Sequence, residues 1–104
     1  MDNAGRLSAQ FFVENIKNPF NQTVLVLAGK GDNGGDAIIM HHYLLEYGIK
    51  SKLFPINSKN NKIIDKYRIS KRYRINQLSK ESADSYDWFI DGIFGIGLKH
   101  LNRM

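Results

Sequence analysis

The chain has 104 residues, 42% of them hydrophobic and 24% charged, with no cysteine and a formal net charge of +5. This size holds at most one domain with a modest core; the composition excludes disorder as a description of the whole chain, and the absent cysteines exclude disulfides, zinc–thiolate sites and a thiol nucleophile. No apolar run approaches the ~20 residues that span a bilayer, and the opening MDNAGRLSAQFF lacks the basic start and apolar core of a signal peptide, so a cytoplasmic protein without a membrane partner is expected.

Leu7, Phe11, Phe12 and Ile16 are spaced to share one face, which predicts a helix over Met1–Ile16 that Asn18-Pro19 and Asn21 break. Thr23 to Ala28 is an unbroken apolar run rich in β-branched residues, the pattern of a central parallel strand covered on both faces. Gly29 to Gly35 reads as a glycine loop and Asp36 to Tyr47 as a helix, with Ile39, Tyr43 and Tyr47 on one face and Gly48 as its C-terminal stop. A second strand is expected within Ile49–Ile56, centred on Lys52-Leu53-Phe54, and a polar loop over Asn57–Asn61. Ile63 to Leu78 predicts a helix and then a short strand around Tyr73-Arg74-Ile75. Much of the positive charge falls in Lys59–Lys80. With Tyr67 and Tyr73 interleaved, this stripe suits nucleic-acid phosphates, but charge alone reports non-specific attraction and a solvated helix face is the simpler reading. Trp88-Phe89-Ile90 is the next strand, ending in Asp91-Gly92, before a glycine-punctuated loop over Ile93–Leu98. Strand, glycine loop, helix and strand make a right-handed crossover between parallel neighbours. The fold class is therefore α/β with a mostly parallel sheet, and residues 1–104 form part of one domain.

Both glycine-rich loops leave the carboxyl ends of strands, where sheets of this kind bind ligands. Gly29-Lys30-Gly31-Asp32-Asn33-Gly34-Gly35-Asp36 contains G-x-G-x-x-G between strand and helix. Glycine there allows a tight turn and a close backbone approach, and the helix N-terminus favours anionic phosphate. An ordinary NAD-dependent dehydrogenase is disfavoured, because no acid occurs between Glu46 and Asp65 to hold the ribose hydroxyls. The phosphate loop of nucleotide triphosphatases is absent too. Asp32, Asn33, Asp36 and Asp91 offer oxygens for a hard cation. Asp36 equally suits a helix N-cap, Asp32 a solvated turn and Asp91 a turn cap. His41 and His42 show no partner pattern for metal or triad chemistry, and Ser8, Ser51 and Ser79 sit in no nucleophile elbow.

Three segments carry a family resemblance. Met1-Asp2-Asn3-Ala4-Gly5-Arg6 resembles the M-E-N-A-G-R segment of NAD(P)H-hydrate epimerases, and Gly29 to Asp36 resembles their G-x-G-N-N-G-G-D-G loop. Trp88-Phe89-Ile90-Asp91-Gly92-Ile93-Phe94-Gly95-Ile96-Gly97-Leu98 resembles their V-D-A-[IL]-F-G-T-G-L segment. The resemblance implies a Rossmann-like three-layer sandwich, usually dimeric, that interconverts the R and S epimers of hydrated NADH and NADPH for repair by a partner dehydratase. It implies a potassium ion held by Asn33 and Asp91. It also implies substrate contacts from Asp32, Asn33, Gly34, Gly35 and Asp36, and from Gly95, Ile96, Gly97, Leu98, Lys99, His100 and Leu101.

The departures are specific. Asp32 stands where the family has asparagine, Ala37 and Gly92 replace the usual glycine and alanine, and Asn57–Tyr86 is short. Ala37 is a mild change provided its φ is not positive. The D-I-P-S-G-like segment, with the acid expected to act in catalysis and a further potassium ligand, is not among these residues. The expectation is a truncated epimerase domain without a catalytic residue of its own. The alternatives are an epimerase completed by another chain and a non-catalytic binding module for RNA or protein.

Overall fold

The computed structural model describes residues 2–56 and 61–100. Helix α1 (Asp2–Asn15) precedes strand β1 (Thr23–Ala28), helix α2 (Gly31–Glu46), strand β2 (Lys50–Pro55) and helix α3 (Asn61–Lys66). A short helix α4 (Lys80–Ala83) then leads to strands β3 (Trp88–Gly92) and β4 (Gly97–His100). The expected polar loop falls largely on residues 57–60, and these, like Leu101, lie outside the described residues. No helix among the described residues is long and apolar enough to cross a membrane.

The four strands lie in the order β2-β1-β3-β4, with β1 parallel to both neighbours and β4 antiparallel to β3. This is the expected α/β class with a mostly parallel sheet. The apolar run of β1 suits its central place, where Val24, Leu25, Val26 and Ala28 are fully buried. Because side chains alternate across a strand, Val24, Val26 and Ala28 share one face, and α1 and α2 pack there. Ala9 and Phe12 of α1 and Ile38, Met40 and Leu44 of α2 join Leu53 and Ile90 in a single core. Fully burying a side chain of this size contributes about 1.5–3 kcal/mol. Phe12 meets Trp88 edge to face at 5.8 Å. At the amino ends of the strands Asp87 Oδ2 accepts from both the backbone N–H (2.8 Å) and the hydroxyl (3.0 Å) of Thr23, pinning β3 to β1.

Gly48 stops α2 as expected, at φ 86°. Its N–H donates to the Leu45 carbonyl and that of Ile49 to the Leu44 carbonyl, the paired bonds of a Schellman cap.

Three boundaries differ from the sequence reading. Helix α2 begins at Gly31 rather than Asp36, so most of the glycine loop is the first turns of the helix. Glycine costs about 1 kcal/mol in a helix interior, but Gly34 and Gly35 are buried against the fold, and tertiary contact outweighs propensity. Gly97 and Leu98 belong to strand β4 rather than to a loop, because β3 offers them a free edge. The basic stripe is not one helix face. Among its described residues Asn61–Lys66 is helical, a 3-10 turn follows at Lys71–Tyr73, Lys80 opens α4, and the expected strand reduces to one parallel bridge between Arg74 and Leu53.

Candidate functional site

β1 and β3 end side by side, with Leu27 opposite Asp91 and Ala28 opposite Gly92. The Gly29 N–H donates to the Gly92 carbonyl at 3.0 Å, closing the gap beyond the last pair. This is the carboxyl edge of the parallel strands. The backbone turns sharply here, through Lys30 in an extended conformation and Gly31 at φ 77°, into α2. Lys30 occupies the N-cap position but its side chain makes no cap hydrogen bond. The first N–H groups of α2 thus receive no bond from the cap, and the helix dipole adds partial positive charge to them.

Two close approaches assemble the edge. A Cβ on Gly92 would lie 2.4 Å from Ala37 Cβ, 2.6 Å from the Leu27 carbonyl oxygen and 3.3 Å from that of Asn33. Only glycine lets α2 sit this tightly on the end of β3. A Cβ on Gly5 would lie 2.6 Å from Ile39 Cγ2 and 2.8 Å from the Asp36 carbonyl oxygen, so α1 also abuts α2 there. The three segments that are separate in sequence therefore touch through small residues. Ala37 is helical and is not among the residues with positive φ, which fits the condition set on that change. The methyl group missing from position 92 is carried instead by position 37, from the opposite side of the same contact.

The oxygens differ in their surroundings. Asp91 Oδ1 accepts from the Ile93 N–H at 2.9 Å and the Phe94 N–H at 3.5 Å, so this oxygen caps the turn after β3. Asp32 and Asn33 are exposed in the first turn of α2, where an acid complements the dipole. Asp36 lies well inside the helix and is not its N-cap, because the helix starts earlier than expected. Its Oδ1 is buried without a hydrogen-bond partner, the one orphaned carboxylate oxygen at this edge among the described residues. Burying such an atom unpaired is unfavourable, and a cation or a ligand hydroxyl would relieve it. Among the described residues no group of three or more acidic or histidine side chains gathers as a metal site.

Past Asp91, Phe94 is 89% exposed, and the space beside Gly95 and Gly97 is open, with no atom within 4 Å of where a Cβ would stand. Ile96 packs against the core. Leu98 lines an apolar hollow with Leu7 and Phe11. Lys99 and His100 pair with Phe89 and Trp88, so β4 carries them back along β3, away from the carboxyl edge. The structure thus brings Asn33 and Ala37 against Gly92, next to Asp91, and Gly29 against Ile93, and does not bring Lys99 or His100 to them.

His41 and His42 are packing and surface residues, as expected. His41 is fully buried on α2, with Nδ1 2.6 Å from Ser51 Oγ on β2. Burial, with smaller contributions from His42 and Lys52, pushes its pKa down to about 3 and keeps the ring neutral. Sequence reasoning missed this pair, because nothing local links positions ten apart on a helix and a strand. It also passed over Gly5 and Ala37 as contact residues; their presence inside the recognisable motifs was the available signal.

Comparison with known proteins agrees with this geometry. The sequence profile described as YjeF-related protein N-terminus matches residues 1–103. An NAD(P)H-hydrate epimerase of Nitrosopumilus maritimus is 27% identical, covering 94% of this chain and 49% of that protein. A bifunctional NAD(P)H-hydrate repair enzyme of Dictyoglomus turgidum is 30% identical, covering 95% of this chain and 21% of the relative. An epimerase of Weissella koreensis is 34% identical over 72% of this chain and 36% of its own length. The chain spans about half or less of the length of these relatives. With the profile matched across nearly every residue and its glycine-bearing segments in mutual contact, the chain belongs to the family of YjeF-related protein N-termini.

Proposed function

We propose that this chain supplies the cofactor-binding part of an NAD(P)H-hydrate epimerase, the activity that interconverts the R and S epimers of hydrated NADH and NADPH. One observation carries the reading: Gly5, Asp36–Ala37 and Gly92, from the three family segments, meet at the carboxyl edge of the sheet. Uncapped N–H groups at the start of α2 suit the pyrophosphate. The open space beside Gly95 and Gly97 admits the rest of the dinucleotide. Asp32 adds a negative charge that weakens pyrophosphate binding and strengthens a cation site.

A potassium ion is proposed between Asn33 and Asp91. A hard monovalent cation takes oxygen ligands, and the Asn33 backbone and Asp91 lie on the two elements that Ala37 and Gly92 hold together. Bound there, it would offset negative charge next to the substrate. Asp91 Oδ1 keeps the turn in place meanwhile. The family's catalytic acid belongs to a segment outside these residues, so turnover is expected only together with polypeptide carrying it, in the same chain or a second one. The bifunctional repair relative supports a functional link to NAD(P)H-hydrate dehydratase.

Calorimetric titration of the 104-residue chain with hydrated NADPH, in potassium and then in sodium buffer, tests this. Asn33→Ala and Asp91→Asn should each weaken potassium-dependent binding by about tenfold, the loss of one charge-assisted contact. The asparagine retains an Oδ1 acceptor for the turn, so a collapsed loop does not account for the loss. Unchanged binding in both variants contradicts the reading.

A further inference from the structure

The other end of the sheet carries a separate feature. Thr23 and Lys50, the first residues of β1 and β2, border an open groove of about 1000 Å³ that also runs past the end of α2 at Gly48. It lies a strand length from the glycine turn, roughly 17 Å for β1. Its walls carry Lys50, Lys52 and Arg68, three tyrosines, Tyr67, Tyr73 and Tyr86, and Ser70. Glu46 is the only acid among the lining residues. From the basic stripe of the sequence, Tyr67, Arg68, Ile69, Ser70 and Tyr73 fold as one side of this groove.

Of the three cations, Lys52 is held in place. Lys52 Nζ donates to the Arg72 carbonyl at 2.9 Å and lies 5.5 Å from the centre of the Tyr73 ring. Tyr67 packs against His42 at 5.0 Å between ring centres. Arg68 is the most informative residue. Its N–H donates to the Asp65 carbonyl and that of Ile69 to the Ile64 carbonyl, a second Schellman cap, built like the one at Gly48. Gly48 takes the left-handed position in the first cap at φ 86°, and Arg68 takes it in the second at φ 52°. Glycine is the residue that position favours. An arginine in the less favourable conformation, with its side chain on the groove wall, breaks a local rule without a folding gain, and such breaks concentrate at functional positions.

We infer that this groove binds a nucleotide, through phosphate contacts from Lys50, Lys52 and Arg68 and ring contacts from Tyr67 and Tyr73. The cations select the phosphate and aromatic walls select the base, whereas an inorganic anion would use only the first. The volume suits a ligand of that size. A free mononucleotide and one unit of a single-stranded nucleic acid share this chemistry.

The test uses the full chain with two probes: AMP, followed by calorimetry, and a fluorescein-labelled ten-nucleotide oligouridine, followed by anisotropy. Binding of AMP assigns the small ligand; binding of the oligonucleotide alone assigns the polymer. With three cations engaged, oligonucleotide affinity should fall about twentyfold between about 50 and about 200 mM salt. Arg68→Gly should weaken whichever probe binds by about tenfold while leaving Tm unchanged or higher, a combination that a purely structural arginine would not produce. Lys50→Glu should weaken binding comparably. Lys17→Glu, an exposed position outside the groove, should leave it within about twofold, the range of a diffuse charge effect. Failure of both probes to bind overturns the inference. So does equal weakening by Lys17→Glu, or loss of binding in Arg68→Gly only alongside a lowered Tm.

Discussion

The two ends of the sheet are built from opposite materials. At the carboxyl edge the contacts are backbone and methyl groups: Gly92 against Ala37, and Gly5 against Ile39 and the Asp36 carbonyl. At the amino edge they are long side chains, with Lys50, Lys52 and Arg68 beside Tyr67 and Tyr73. Backbone contacts leave little slack, so a single methyl group disturbs the carboxyl edge. Long cationic side chains adapt, so the amino edge tolerates substitution in its fold and responds to salt instead. The difference teaches where precision resides: the glycine edge is rigid, and the groove lined by long side chains is compliant.

The largest effect that sharpens this contrast is Gly92→Ala. Its Cβ has nowhere to go, 2.4 Å from Ala37 Cβ and 2.6 Å from the Leu27 carbonyl oxygen. Overpacking of this kind costs about 3 kcal/mol, on the order of 10–20 °C in the melting midpoint of a chain this size. Ala37→Gly in the same chain returns the pair to the family's own arrangement and should recover part of that loss. Additive losses in the double variant would show that the two positions do not share one contact.

Next comes acid. His41 has a folded pKa of about 3 against an unfolded value near 6.5. The folded state therefore disfavours the protonated ring. The associated stability is fully present above about pH 6.5 and is lost as pH falls toward about 3, at roughly 1.4 kcal/mol per pH unit. Chemical denaturation at about pH 5 should show a loss of about 2 kcal/mol relative to neutral pH. His41→Leu should flatten that slope, and an unchanged slope would place the titrating group elsewhere.

How much of this was legible in the sequence follows from the same distinction. β1 was legible because TVLVLA is unbroken, and the carboxyl edge because its glycines lie in recognisable segments. The early start of α2 was not, since Gly34 and Gly35 oppose a helix by propensity and are held in one by burial. Nor was β4, whose Gly97-Leu98-Lys99-His100 has no alternation and exists through pairing with β3. Turn-capping by Asp91 stood as one of two readings, and its Oδ1 does cap. Arg68 gave no local sign of a left-handed conformation, because the cap that imposes it depends on how α3 ends.

The smallest effect is at the compliant end. Lys50→Glu should change stability by no more than about 0.5 kcal/mol, seen as superimposable denaturation curves in moderate salt. A loss like that of Gly92→Ala would mean that the groove is as tightly determined as the glycine edge, and the contrast would fail.

The most direct test of the central claim is a thermal melt of the chain by circular dichroism, with hydrated NADPH in potassium buffer, in sodium buffer and without ligand. If the three segments form a working cofactor edge, the melt is cooperative and its midpoint rises with ligand, most in potassium; ligand at about a hundred times its Kd adds about 2.7 kcal/mol. A cooperative melt with the same midpoint in all three conditions would contradict it, leaving the family's architecture without its binding function.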